Sequence, residues 1–381
     1  MKRFIVGIPF NYDESWIGGA YYVKNLVSSL NLLDADRQPE VWMISNKMSS
    51  FEFIKDSSRY PHLHWIRDSD LKKANGDTRK RGFWARLFGK RRRKVPDFDV
   101  IFPYPVEGYH HISAAWIPDF QEKYLPQFFS PDELEERDRQ HRFYIDNFRH
   151  IVFSSRAAEA DFQTFYPDNG VKTHVVHFAT FEKPVQTGDA AKVLEKYDLP
   201  ARFFYCPNQF WIHKNHAVVI DAVKILKDRG VEVCVAFSGK EHDHRAPDHV
   251  NQLKARVQSL GVEGNVRFLG FIPRDDQMVI FRQAISVVQP SFFEGWSTVI
   301  EDAKSVSQNV LASRIPANLE QVDDNITYFD PHSAEDLAGL LEKYLATLPD
   351  RKVLDYRRYQ QDFADNFMAL VADVARTRRS G

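Results

Sequence analysis

The sequence predicts an α/β protein built from two doubly wound domains, each a parallel sheet with helices on both faces. Three observations predict it. Short apolar runs alternate with segments of helical period, and this happens twice along the chain. A polar, proline-containing stretch at 180–200, with Glu182, Lys183, Pro184, Thr187 and Gly188, separates the two series and reads as a linker. At 381 residues the chain also suits two cores of ordinary size better than one.

The elements follow in order. Residues 4–8 (FIVGI) predict a first buried strand. Val23, Leu26, Val27 and Leu30 then share one face of a helix. Further strands are expected at 41–44, 63–66, 99–102, 113–117, 150–153 and 173–177, with helices over 131–148 and 156–165. In the second series, strand 202–206 leads to helix 216–229, which Gly230 stops. Strand 231–237, helix 248–260, strand 266–269, helix 275–283 and strand 285–289 come next. Helix 298–307, strand 309–312, helix 333–347 and a helical tail over 351–376 complete the chain. The expected domains are 1–180, with a basic insertion at 71–95, then 181–350, and a last helix in 351–381. Ligands of open α/β sheets bind beyond the carboxyl ends of the strands, which directs attention to a cleft between the two domains.

Composition narrows the function classes. Hydrophobic residues make up 43% and charged residues 27%, a globular balance. Cys206 and Cys234 are the only cysteines and give no disulfide framework and no zinc site, so a reducing compartment is expected. The opening MKRFIVGIPF is broken at Pro9 too early for a signal peptide, and no apolar run is long enough to span a bilayer. The net charge of −1 conceals a block at 72–94 with eleven Lys and Arg side chains against one acid, Asp77; the rest of the chain carries −11. Phe83, Trp84, Leu87 and Phe88 lie among those bases, a mixture that suits an anionic membrane surface or a solvated loop. Nonspecific contact with nucleic acid is open to such a block, but no recognition fold accompanies it.

Four segments can carry chemistry. In VQPSFFEGWSTVIEDAK, 288–304, a buried strand ends at Pro290, a loop holds Glu294 and Gly295, and a helix is expected to start near Thr298. Thr298 and Glu301 have capping-box spacing, which gives Glu301 a structural task and leaves Asp302, about 100° around the helix, free for a ligand. Amides of Ser297 to Val299 at a helix start suit a phosphate; the alternative is an ordinary capped helix with two solvated acids. In FYCPNQFWIHKNH, 204–216, Lys214 stands before a helix, where it can reach a diphosphate or simply face water. Gly18 and Gly19, between the first strand and first helix, allow close backbone approach or a plain turn. Asp119 in WIPDFQ follows a buried strand, as a site acid or a turn residue. Histidines 62, 64, 110, 111, 141, 213, 216, 242, 244 and 249 show no metal spacing, and Asp97-Phe98-Asp99 precedes its strand instead of ending one, so no metal is expected.

In this order, the segments resemble the retaining glycosyltransferases of the GT-B fold, family 4 (glycosyl transferases group 1). The family's Glu-x7-Glu hallmark aligns without gaps on Glu294 to Asp302, with Asp in the second position. The resemblance implies that Glu294 contacts the donor hexose and Asp302 the ribose, with Gly295, Ser297 and Thr298 in the same donor loop. The family's diphosphate clamp, an arginine five residues before a lysine, appears as Gln209 and Lys214. His213 or the helix start at Ser297–Thr298 is the expected substitute for the missing charge. Gly18-Gly19 matches the glycine loop, Pro118-Asp119 stands where a His-Asp pair is common, and Gly270 and Phe271 in FLGFIP would border the nucleobase. The last helix is expected to return to the first domain.

The resemblance therefore implies a metal-independent transferase without a cofactor, moving a hexose, mannose by family frequency, from a nucleotide-diphosphate donor. The acceptor would be a saccharide or lipid-linked saccharide in surface polysaccharide synthesis. The expected catalytic residues are Glu294, Lys214 and Asp119. The expected location is cytoplasmic, with a peripheral association at the inner face of the plasma membrane through 79–94. The competing readings are a non-catalytic binding protein of the same fold and a nucleotide-sugar epimerase.

Overall fold

The structure, a computed structural model, describes residues 3–13, 17–76, 95–181, 190–322 and 324–380. The membrane-surface reading of 79–94 thus lies outside the described residues. The chain divides into two units. Unit 1 comprises Met1–Pro118, Glu136–Phe181 and Arg357–Gly381, and unit 2 comprises Asp119–Glu135 and Glu182–Tyr356.

Unit 1 opens with β1 (Ile5–Pro9), α1 (Ile17–Ser29), β2 (Glu40–Ile44), α2 (Met48–Ser58), β3 (Leu63–Ile66) and α3 (Asp68–Gly76). β4 (Val100–Ile101) and β5 (Ala114–Ile117) follow. The chain then passes through unit 2 with α4 (Gln121–Tyr124) and the start of α5 (Pro131–Asn147), and returns to unit 1 for β6 (His150–Phe153), α6 (Arg156–Phe165) and β7 (Lys172–Val175). The strands form parallel sheets in the orders β3-β2-β1-β4 and β5-β6-β7, linked by a parallel bridge between Ile101 and Ser113. Helices α2 and α3 are additions to the sequence expectation; α3 is polar in composition, and its Leu71 is buried.

Unit 2 contains α7 (Ala190–Lys196), β8 (Phe204–Cys206), α8 (His216–Asp228), β9 (Val235–Phe237), α9 (His249–Ser259), β10 (Val266–Phe268) and α10 (Arg274–Gln283). It continues through β11 (Val287–Gln289), α11 (Thr298–Ser305), β12 (Val310–Ser313), α12 (Pro316–Gln321), β13 (Ile326–Phe329) and α13 (Ala334–Ala346). The expected linker over 180–200 gives way to α7, because Val193 and Leu199 bury against the same apolar cluster as Phe203. The sheet is parallel, ordered β10-β9-β8-β11-β12-β13. Side chains alternate as the pleat requires: Phe204, Phe237, Val288 and Leu311 join one core with α8, α9 and α13. Phe203, Tyr205, Ala236, Val287 and Val310 join the other with α7, α10 and α11. Gly230 stops α8 as expected, at φ 75°, with the Val231 amide closing back on Leu226.

The last helix, α14 (Tyr356–Ser380), belongs to unit 1 from Arg357 onward. Phe363, Phe367, Leu370, Val371 and Val374 recur at helical spacing and are buried. Phe363 lies 6.0 Å from the ring of Tyr22, Phe367 5.7 Å from that of Phe102, and Arg378 donates to the Phe98 carbonyl.

Candidate functional site

In unit 2 the strand order reverses between β8 and β11, and the carboxyl ends of strands flanking such a point are where α/β sheets bind ligands. Two amides meet there. Asn208, just past β8, donates from Nδ2 to Gln289 Oε1 at 2.8 Å, and Gln289, the last residue of β11, is fully buried. That bond turns Gln289 Nε2 outward, where it lies 2.7 Å from Glu294 Oε1, 2.9 Å from Ser297 Oγ and 3.2 Å from Ser291 Oγ. Lys214 Nζ donates to the same Glu294 oxygen at 2.6 Å, with side-chain exposures of 17% for Lys214 and 9% for Glu294. Both donors converge on Oε1, so Glu294 Oε2 accepts no bond from the described residues.

The backbone fixes Lys214. It ends a 3-10 turn, Ile212–Lys214, after which Asn215 takes a left-handed conformation at φ 54°. Asn215 Nδ2 donates to the carbonyls of Pro290 and Pro331, tying the turn to the segments after β11 and β13. Opposite, Gly239 approaches so closely that a Cβ there would lie 2.2 Å from the Asn208 carbonyl oxygen. The Gly239 amide bonds the carbonyl of Gly270, itself at φ 68°, which sets Gly270 beside the Asn208–Gln209 loop. Phe271 next to it is 69% exposed, Gln209 is half-buried, and Gly295 lies in the loop between Glu294 and α11.

The start of α11 corrects three expectations. The cap is Ser297, not Thr298: its hydroxyl accepts from the Ile300 amide. Thr298 is exposed as the first helical residue. The Ser297 amide is not open to a phosphate, because Gln321 Oε1 accepts from it at 2.9 Å while Gln321 Nε2 donates to the Ser297 carbonyl at 2.7 Å. Glu301 makes no capping box; it points inward, accepting from Lys304, Gln321 and the Tyr356 hydroxyl. Asp302 does occupy a different side of the helix, but it is not free. Arg274 grips both its oxygens, with Nη1 to Oδ2 at 2.8 Å, in the two-pronged geometry that guanidinium and carboxylate share.

The expected substitute for the missing arginine also fails. His213 is buried, and burial together with the nearby charges of Lys214 and Arg245 holds its pKa well below the ordinary histidine value, so it is neutral. The Cys206 thiol is pushed up to about 12 by burial and is no nucleophile. Asp119 accepts from the Gln121 amide at 3.0 Å, a turn that starts α4. Gly18 and Gly19 lie within the first turn of α1 in unit 1 instead of in the preceding loop, and Gly18 has open space around it. Thus Lys214, Glu294 and Ser297 come together around Gln289, Gln209 and Gly270 lie along the adjoining loop, and Asp302 is held separately by Arg274. Sequence reasoning missed Asn208, Gln289, Arg274 and Gln321. A polar residue closing an apolar strand was the signal for Gln289; nothing local marked the other three.

Residues 193–361 match the family described as glycosyl transferases group 1. Mannosylfructose-phosphate synthase of Agrobacterium fabrum is 24% identical over 213 residues, covering 53% of this chain and 46% of that protein. O-antigen chain mannosyltransferase B of Escherichia coli is 32% identical over 77 residues, 20% of each chain. The chain therefore spans half the length or less of these curated relatives. Among solved structures, Anabaena HepE in complex with UDP and glucose superposes with a TM-score of 0.63 at 15% identity, over 99% of this chain and 98% of that one. Sucrose-phosphate synthase from Thermosynechococcus elongatus gives 0.58 at 14% identity, over 98% and 95%. Residues 193–361 are thus similar to the glycosyl transferases group 1 family, and the fold is the GT-B fold of these glycosyltransferase structures.

Proposed function

We propose that the protein is a retaining, metal-independent glycosyltransferase that moves a hexose from a nucleotide-diphosphate donor to a saccharide or lipid-linked saccharide, in the synthesis of a surface polysaccharide. The observation that carries this reading is the Lys214–Glu294 pair, oriented by buried Gln289 beyond the carboxyl ends of β8 and β11. As the glycosidic bond to the donor breaks, negative charge grows on the departing diphosphate. Gln209 and neutral His213 supply no charge on the β8 loop, so Lys214 is its cation there and stabilises the leaving group in a role that other transferases assign to a metal. Glu294 Oε2, unclaimed by the protein groups that hold Oε1, accepts from hydroxyls of the hexose and fixes its orientation. By the family's pattern Asp302 binds the ribose, through lone pairs left over from its two-pronged bond with Arg274. The family match and the named mannosyl and UDP-bound relatives support this chemistry.

The test is a screen of UDP-, GDP- and ADP-sugars for release of nucleoside diphosphate, with and without EDTA, followed by NMR of the product anomer. The reading predicts EDTA-resistant release and an anomer of the donor's configuration. Inversion or EDTA-abolished turnover removes those respective features, and tight nucleotide binding without any turnover replaces the whole reading with a binding-only role.

A further inference from the structure

Unit 1 carries a second constellation, at the opposite, amino-terminal end of its strands. His150 is the first residue of β6 and pairs in register with Lys172, the first residue of β7. Lys172 and His174 are two apart, so both share the sheet face of His150. Helix α14 places Asp373 and Thr377, one turn apart, against these side chains.

Three donor atoms converge. His150 Nδ1 lies 2.9 Å from His174 Nε2, 3.8 Å from Asp373 Oδ2, and His174 Nε2 lies 3.6 Å from that same oxygen. The point equidistant from the three atoms sits about 2.0 Å from each, the bond length of zinc to imidazole nitrogen and carboxylate oxygen. The tautomer agrees. Thr377 Oγ1 donates to the Asp373 carbonyl at 3.1 Å, so at its 3.1 Å contact with His150 Nε2 it must accept. Nε2 therefore carries the proton, and the Nδ1 lone pair faces the convergence point. His174 Nε2–H donates to that lone pair at 2.9 Å, so ligation shifts the His174 proton to its other ring nitrogen. Three cations oppose a further positive charge: Lys172 Nζ lies 2.6 Å from Asp373 Oδ2, Arg376 Nη2 lies 3.1 Å from Asp373 Oδ1, and the charge of Arg149 acts on His150; the Lys172 and Arg376 side chains are 59% and 75% exposed and can swing into solvent.

We propose that His150, His174 and Asp373 form a binding site for a zinc-class divalent cation that fastens α14 to the amino ends of β6 and β7. Two nitrogens and one oxygen suit zinc, or cobalt as its spectroscopic stand-in, over magnesium or calcium. The site is structural in kind and independent of the transfer chemistry proposed above.

The experiment uses the full chain without a histidine tag, stripped with EDTA and dialysed, then titrated with ZnCl2 by calorimetry and with CoCl2 by visible absorption, with Tm measured in parallel. The expected result is one saturable equivalent per chain, an intense tetrahedral-type cobalt band and a Tm that rises with zinc. Asp373→Asn and His174→Gln should each lose that equivalent. Thr377→Ala should weaken it about 10- to 100-fold, the usual effect of removing a group that orients a ligand, while Thr377→Ser retains it. Lys172→Ala should tighten it by removing a competing cation. No saturable uptake, a weak octahedral-type cobalt spectrum, or unchanged affinity in His174→Gln and Asp373→Asn would overturn the proposal.

Discussion

Replacing Lys214 by Met removes the ammonium and keeps a side chain of similar reach, so the loss can be assigned to charge. At an effective dielectric near 20, unit charges at the 2.6 Å separation of Lys214 and Glu294 attract by roughly 6 kcal/mol. Most of that offsets the desolvation of two ions. Breaking a fully buried pair costs about 3–5 kcal/mol. Here Glu294 keeps its bond from Gln289 and both side chains retain some exposure, so the expected loss of folding stability is smaller, about 2 kcal/mol. The loss of transition-state stabilisation is a separate quantity: removing one preorganised donor costs about 2–4 kcal/mol, or roughly 30- to 1,000-fold in kcat/KM. Urea unfolding reads the first, and release of nucleoside diphosphate reads the second. Adding Glu294→Gln to Lys214→Met removes the unpaired carboxylate, so stability should recover in the double variant while turnover stays low. Wild-type kcat/KM in folded Lys214→Met protein would refute the reasoning, as would a rate loss that only tracks the fraction unfolded.

Two further perturbations test the surroundings of the site. Gly239→Ala drives a Cβ to 2.2 Å from the Asn208 carbonyl oxygen, backbone that cannot yield cheaply; the protein should lose about 1–3 kcal/mol by urea unfolding and bind nucleotide more weakly, and unchanged values in both assays would count against this packing. His216 is fully buried, stacked 4.6 Å from the ring of Phe210, and its pKa is lowered to about 3, chiefly by burial. Because the unfolded chain takes up a proton near pH 6.5 and the folded one does not, its contribution is complete above that value and is lost as pH falls toward 3. From pH 7 to pH 5 this single group should remove about 2 kcal/mol of stability, and His216→Phe should flatten that part of the slope; parallel slopes for both proteins would rule it out.

Much of the architecture was legible because strands buried on both faces leave an unbroken apolar signature. VWMI, HIVF and RFFYC announce themselves, and Gly230 marks its helix end by a backbone angle few other residues accept. β13, ITYF, went unread because only Phe329 of its residues is buried, and α7 because its polar neighbours mask Val193. Within the site, residue types at fixed spacing pointed to Lys214 and Glu294. What spacing does not carry is which partner claims a side chain. Asp302 meets Arg274 across 28 positions and Ser297 meets Gln321 across 24, contacts that exist only after the sheet has formed. The same limit hid His150, His174 and Asp373, which are scattered along the chain and joined by strand register and helix phase.

The placement of α14 gives the protein an awkward order of assembly. Phe363, Phe367 and Val371 complete an interior whose other members, Tyr22 and Phe102 among them, leave the ribosome hundreds of residues earlier. Residues 182–356, by contrast, are contiguous and can close their own sheet as soon as they emerge. The half that is translated first is thus the half that must wait, with apolar surface open until the final turns arrive. Chains cut short before Arg357 should retain an intact second unit and a sticky, unfinished first one.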